Sequence, residues 1–259
     1  MQTYHYGTHP AQYAELTLPS GSSVVPIVVI VHGGFWREAY GADLGRPLAR
    51  DLVDRGWAAL NVEYRRVGDS AKDGGGGWPT TCLDVAAAVD ALAVQGQRIA
   101  GGRLDLSRVV ALGHSAGGHL AGWLASRAHQ EAGAPGADPQ VTLTGAVLQA
   151  GVLDLEGGYS ANLGAGAVRA FMGGSPDDLR EAYGQASPVD RVPLHLRTVC
   201  VHGRSDDVVP IEQSQAFVAA ALQTGDHAEL QAFDGGHSEL IDTSTQAWEL
   251  CVEALERLL

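Results

Sequence analysis

Val109-Val110-Ala111-Leu112-Gly113-His114-Ser115-Ala116-Gly117-Gly118-His119-Leu120 decides how this chain is read. An apolar run leads into Gly-x-Ser-x-Gly, and apolar residues then continue at helical spacing to Ala128. A serine at such a strand-to-helix turn is forced into a strained backbone conformation, while Gly113 and Gly117 leave room for close packing. The turn lifts the hydroxyl above the sheet, beside the N-terminus of the next helix. There the helix dipole and the Ala116 N–H can stabilise negative charge on a substrate oxygen. An ordinary helix N-cap would give Ser115 no chemical role. The strand before it, the helix after it and the partners named below favour a nucleophile.

Working outward, short β-branched runs alternate with helical patterns, which predicts a mainly parallel sheet with helices on both faces. Strands are expected at Val24–His32, Ala58–Tyr64, Arg108–Gly113, Leu143–Leu148, Thr198–His202 and Glu229–Phe233, with Tyr13–Leu18 as an antiparallel edge. Helices are expected at Leu44–Arg55, Thr80–Val94, Ala116–Ala128, Ile211–Thr224 and Thr243–Leu259. Within Thr80–Val94, the pattern buries Leu83, Ala87, Val89, Ala91 and Val94 and leaves Asp84 and Asp90 to water or caps. Residues 1–259 read as a single domain, without repeats or a Pro- or Ser-rich linker. Two stretches interrupt the alternation: Val67–Trp78, with glycines at 74 to 77 before Trp78 and Pro79, and an insertion, 151–197, expected to shape a pocket.

Val31-His32-Gly33-Gly34-Phe35-Trp36 follows the first core strand and matches the loop that donates N–H groups to an oxyanion. Gly33 and Gly34 let the backbone approach, so the N–H of Gly34 or Phe35 can join that of Ala116. His32 more readily anchors the loop than touches substrate. Where serine occupies this turn, the acid and then the histidine follow in chain order, and His237 alone lies beyond the last strand. Its Asp234-Gly235-Gly236-His237 loop lets the imidazole lean toward Ser115. His119 is one helical turn past Ser115, more a supporting residue than a base. The acid should follow the preceding strand, where Asp206 and Asp207 both qualify.

Apolar residues at 45% and charged ones at 18% suit a large core. A formal charge of −13 argues against nucleic acid or an anionic membrane as partner. The amino terminus resembles no secretory signal, so a soluble cytoplasmic protein is expected. Cys82, Cys200 and Cys251 have no CxxC spacing and read as buried thiols; no metal-binding spacing is present.

Together, HGGFW, NVEYRR with GGGGWP, GHSAGGHL, HGRSDDVVP and GGHSEL resemble the α/β-hydrolase superfamily, in its lidless branch of arylformamidases and small carboxylesterases. The resemblance spans about residues 4 to 259. It implies an α/β-hydrolase fold without a large cap domain. Its pattern H-G-x-x-D-x-x-V-P puts the triad acid at Asp206, leaving Asp207 to cap the helix that starts near Pro210. Ser115, Asp206 and His237 would then cleave a small-molecule carboxylic ester through an acyl-enzyme, with N-formylkynurenine as the alternative substrate and oligopeptides third. No metal or organic cofactor is implied, and homo-oligomer formation stays open. Phe35, Trp36 and Trp78 near the expected mouth suggest an apolar or aryl acyl or leaving group, and Trp36, Trp78 and His114 are assigned to the substrate pocket. A non-catalytic ligand-binding module is the reading from another class, and it would usually lack the serine, the histidine or the loop glycines.

Overall fold

Successive side chains of a strand point to opposite faces, so a strand covered on both sides must be apolar throughout. Val25–Val31 meets that condition in the computed structural model, which describes residues 1–259: every residue of this strand is buried. Ile27, Val29 and Val31 enter the larger of two cores, and Val28 and Ile30 enter the other, across the sheet. In chain order the strands are β1 (Gln2–His5), β2 (Tyr13–Thr17), β3 (Val25–Val31), β4 (Ala58–Val62), β5 (Leu104–His114), β6 (Gly145–Gln149), β7 (Arg197–Gly203) and β8 (Ala228–Phe233). The helices are α1 (Arg46–Asp54), α2 (Thr80–Asp90), α3 (Gln95–Ala100), α4 (Ala116–Ser126), α5 (Leu155–Ser160), α6 (Ala167–Met172), α7 (Arg180–Ala186), α8 (Glu212–Gln223) and α9 (Gln246–Leu258). Val85 of α2, Leu120 of α4 and Phe217 of α8 fill the larger core, while Leu48 and Leu52 of α1 and Trp248 and Leu255 of α9 fill the smaller.

The strands form one sheet in the order β1-β2-β4-β3-β5-β6-β7-β8. β1–β2 and β2–β4 are antiparallel and every other pair is parallel. Parallel strands bring their carboxyl ends to one edge. The HGGFW loop after β3, Ser115 after β5, Asp206 after β7 and His237 after β8 all leave from that edge, where open α/β sheets place their functional crevice.

Three details depart from the sequence expectation. Tyr13–Thr17 is not the edge, because Gln2–His5 pairs outside it; with a single buried residue, Tyr4, that strand has almost no apolar signal. The expected faces of α2 hold only in part: Val89 is buried, but Leu83 and, beyond the helix, Val94 are exposed, and Asp84 is buried. Asp84 accepts hydrogen bonds from Arg65 Nε (2.8 Å), Arg65 Nη2 (2.7 Å), the Arg65 N–H (3.0 Å) and Gln12 Nε2 (2.7 Å). Those donors offset the desolvation of the carboxylate and override apolar periodicity. Finally, α2 ends at Asp90 and a separate helix, α3, follows. The three thiols are free and buried as expected.

Glycines in the turn are explained by contact. A Cβ on Gly117 would stand 2.0 Å from the Val31 carbonyl oxygen and 2.5 Å from that of His32, and one on Gly113 2.0 Å from the Gly117 oxygen. Backbone cannot yield as a flexible side chain does. Gly117→Ala is expected to lower unfolding stability by about 3 kcal/mol. Gly184→Ala, in α7 with open space around it, should instead gain about 0.5–1 kcal/mol. Urea unfolding midpoints of the two variants check this contrast.

Candidate active site

Ser115 has φ 57° and ψ −119°, a left-handed conformation that costs on the order of 1–3 kcal/mol outside glycine. Packing over-determines it: the Ser115 N–H donates to the Gln149 carbonyl at 2.8 Å, which stitches the end of β5 to β6. Its carbonyl meanwhile accepts from the His119 N–H at 3.1 Å. The residue is only 3% exposed.

His237 Nδ1–H donates to Asp206 Oδ2 across 2.7 Å. The other carboxylate oxygen, Oδ1, accepts the N–H groups of Val208 (2.9 Å) and Val209 (2.8 Å), so the acid cannot rotate without breaking its own loop. His202 Nε2 lies 3.4 Å from Oδ2. Burial opposes ionisation of Asp206, yet the hydrogen bonds from His202, His237 and the Val209 N–H outweigh it and hold the carboxyl well below the usual range. A fixed carboxylate on Nδ1 leaves Nε2 as the free, basic nitrogen. Asp207 does not cap α8 as expected: it is exposed, α8 starts without a side-chain cap, and the local N–H groups are held by Asp206.

His114 Nε2–H donates to the His237 carbonyl at 3.1 Å, and the two rings lie 4.5 Å apart. Gly33 abuts the same group, since a Cβ there would stand 2.8 Å from the His114 oxygen and 3.1 Å from Ser115 Cβ. The strand ends thus gather Gly33, His114 and Ser115, and His114 joins them to His237; Ser115 Oγ itself makes no hydrogen bond to the His237 ring. The N–H groups of Gly34 and Phe35 make no hydrogen bond within the protein. That of Ala116, the first residue of α4, has no partner within its helix.

Trp36 is not at a mouth. It has no exposed surface, stacks on Phe171 of α6 at 4.4 Å and meets His119 edge-on at 5.2 Å. Phe35 and Trp36 hold φ near 50° and 55°, and burying a whole indole offsets the strain. Trp78 likewise serves packing: it is half-buried, lies edge-on to Trp123 at 6.1 Å, and its N–H donates to the Phe171 carbonyl at 2.8 Å. The glycine-rich loop, α6 and the HGGFW loop are therefore locked through Phe171. Phe35 stays partly exposed against Gly164, whose carbonyl accepts from Arg37. His114 underlies His237 and shows little surface to a substrate. A concavity of about 440 Å³ lined by Arg197, Leu222, His227 and Glu229 sits at the amino ends of β7 and β8, away from this edge.

Two supporting residues escaped sequence reasoning. Gln149 Nε2 donates to the Leu240 carbonyl at 2.6 Å, tying the turn after His237 to β6. Glu63 accepts from His32 Nε2 at 3.0 Å beneath the HGGFW loop. The only signal was a polar residue at the end of a mostly apolar run: Gln149 closes β6 and Glu63 follows β4.

Burial pushes the His114 imidazole down to about 3, with His237 adding to the effect, and burial pushes His119 down to about 4. Unfolded histidines titrate near ~6.5. Below that pH the unfolded chain binds protons that these folded residues refuse, so stability falls as pH falls. Each residue should account for about 1.4 kcal/mol lost between about pH 7.5 and 5.5. His119→Gln should lose that much less than wild type over the same interval in chemical unfolding.

Residues 15–221 match the BD-FAE family. The chain belongs to that family. The match includes Ser115 and Asp206 and stops before His237. This BD-FAE chain is 28% identical over 225 residues to "Esterase LipC" of Mycobacterium tuberculosis, covering 82% of this chain and 53% of the relative. It is 29% identical over 257 residues to a probable isoprenylcysteine alpha-carbonyl methylesterase, ICMEL1, of Oryza sativa subsp. japonica, covering 91% of this chain and 56% of that one. The chain thus spans about half the length of the curated relatives it matches. Among solved structures, Esterase B from Lactobacillus rhamnosis superposes with a TM-score of 0.82 at 20% identity, covering 99% of this chain and 84% of that one. A truncated carbohydrate esterase from gut microbiota gives 0.79 at 18%, covering 100% and 96%. The fold of the BD-FAE chain is the α/β-hydrolase fold. None of its helices is long and apolar enough to cross a membrane.

Proposed function

We propose that this chain hydrolyses a small carboxylic ester through an acyl-enzyme on Ser115, with His237 as base and Asp206 as its orienting acid. The observation that carries this is the 2.7 Å bond from His237 Nδ1 to Asp206 at the same sheet edge as a serine with left-handed backbone. His237 Nε2 takes the Ser115 proton as Oγ attacks the carbonyl carbon. The carbonyl oxygen becomes an oxyanion facing the N–H groups of Gly34, Phe35 and Ala116. Collapse expels the alcohol, which leaves with the proton returned by His237. Water, deprotonated by the same imidazole, then attacks the acyl-serine and releases the acid.

The curated relatives reported above carry esterase names, which supports ester over amide. A binding module would have no use for a strained serine, a fixed imidazole and free N–H groups at one edge. The test compares kcat/KM for a p-nitrophenyl acyl series with that for N-formylkynurenine. Preference for short acyl esters is expected. Preference for the formamide would sink the ester assignment while keeping the nucleophile, and turnover of neither would remove both.

A further inference from the structure

The HGGFW loop rests on buried charges that the proposed reaction does not consume. The His32 side chain has no exposed surface and stacks on Tyr64, with centroids 4.4 Å apart and planes 7° from parallel. Its Nδ1 lies 2.8 Å from the Gly33 carbonyl oxygen, and its Nε2 lies 3.0 Å from Glu63 Oε1. Both neighbours are acceptors. A neutral imidazole has one N–H and one lone pair, so it would aim that lone pair at another lone pair where water cannot intervene. The Tyr64 hydroxyl, 3.4 Å from Nδ1, does not resolve the conflict, because it donates to the His32 carbonyl at 2.8 Å.

Glu63 cannot resolve it either by taking a proton. Its oxygens accept from the N–H groups of Ala42 (2.8 Å) and Tyr64 (3.0 Å), and Arg66 Nε is 3.4 Å away. Burial disfavours its charge, but His32, Arg66 and the Ala42 N–H prevail and hold the carboxyl below its ordinary value. The remaining charges facing the cluster are accounted for. Arg66, itself buried, pairs with Asp73 at 2.8 Å and donates to the Tyr40 carbonyl, while the Tyr6 hydroxyl donates to the Glu63 backbone at 2.5 Å. With a proton on each nitrogen of His32, two cations balance two carboxylates.

We propose that His32 is a buried imidazolium held by Glu63, and that Glu63 acts through it as a positioning residue for the oxyanion donor at Gly34. The second half rests on the ester-hydrolase reading. One rigid peptide plane carries the Gly33 carbonyl and the Gly34 N–H in opposite directions. Drawing the carbonyl onto His32 therefore turns the Gly34 N–H away from the cluster. The neighbouring carbonyls are fixed in the same manner, that of His32 by Tyr64 and that of Gly34 by the Arg37 N–H at 3.0 Å.

The test begins with wild-type protein carrying ¹⁵N-labelled histidine, read by ring N–H spectroscopy at about pH 8. Through-bond correlation from Cβ assigns the His32 ring without any variant. Protons on both nitrogens are expected, and a bare nitrogen overturns the imidazolium. In Glu63→Gln, kcat for p-nitrophenyl acetate should fall about 10- to 100-fold while KM stays within about twofold. Glu63→Asp should restore part of the loss. An unchanged kcat in folded Glu63→Gln overturns the positioning role. A doubly protonated ring in wild type that cleaves no ester upholds the imidazolium and overturns the positioning role together with the ester reading.

Discussion

Ser115→Ala is expected to lower kcat for a p-nitrophenyl ester by about 10⁵- to 10⁶-fold, with KM changed little. Alanine keeps the Cβ that Gly33 packs against, along with the Gln149 hydrogen bond to the backbone of residue 115. Only the hydroxyl disappears. The left-handed backbone is as strained for alanine as for serine, so the unfolding midpoint should stay near wild type, and a kinetic loss cannot be blamed on misfolding. Some acceleration over water should survive, because the Gly34, Phe35 and Ala116 N–H groups remain. Steady-state kinetics paired with fluorophosphonate labelling and mass measurement check both halves. Covalent label on the alanine variant, or kcat within about tenfold of wild type, would refute Ser115 as the nucleophile.

Asp206→Asn should come next in size, with kcat reduced about 10⁴-fold. The cause is a reversed hydrogen bond. Val208 and Val209 N–H groups demand an acceptor at Oδ1, so the asparagine carbonyl must stay there and its NH₂ must face His237. An NH₂ opposite Nδ1 needs a lone pair on that nitrogen, which moves the imidazole proton to Nε2, the side meant for Ser115. The base is then already occupied. Asp207→Asn offers the control: that carboxylate is exposed and bonds nothing nearby, so activity should remain within about twofold of wild type. Equal losses in the two variants would contradict the assignment of Asp206.

What could be read from the sequence was local. Glycines at 113 and 117 encode a close approach between a strand and the helix that follows it, and β3 declares itself by being apolar on both faces. What could not be read depends on partners far along the chain. Asp84 is buried because Gln12, 72 residues away, and Arg65 reach it, and no helical periodicity contains that fact. Trp36 looks like a pocket aromatic until Phe171 of α6 arrives to stack on it. Gln149 gains its use only when Leu240, 91 residues later, presents a carbonyl. Long-range contacts, polar and aromatic, rather than propensity separate the expected site from the observed one.

β8 is one of the two edge strands of the sheet, and a sheet breathes first at its rim. A base hung from such a strand would wander with each opening of the edge. His237 is instead registered to the interior: Gln149 of β6 holds the turn that follows it, and His114, adjoining Ser115, grips its carbonyl. The rim can loosen while the loop that carries His237 stays tied to β5 and β6. Fluctuation at the border and the placement of the imidazole are thereby decoupled.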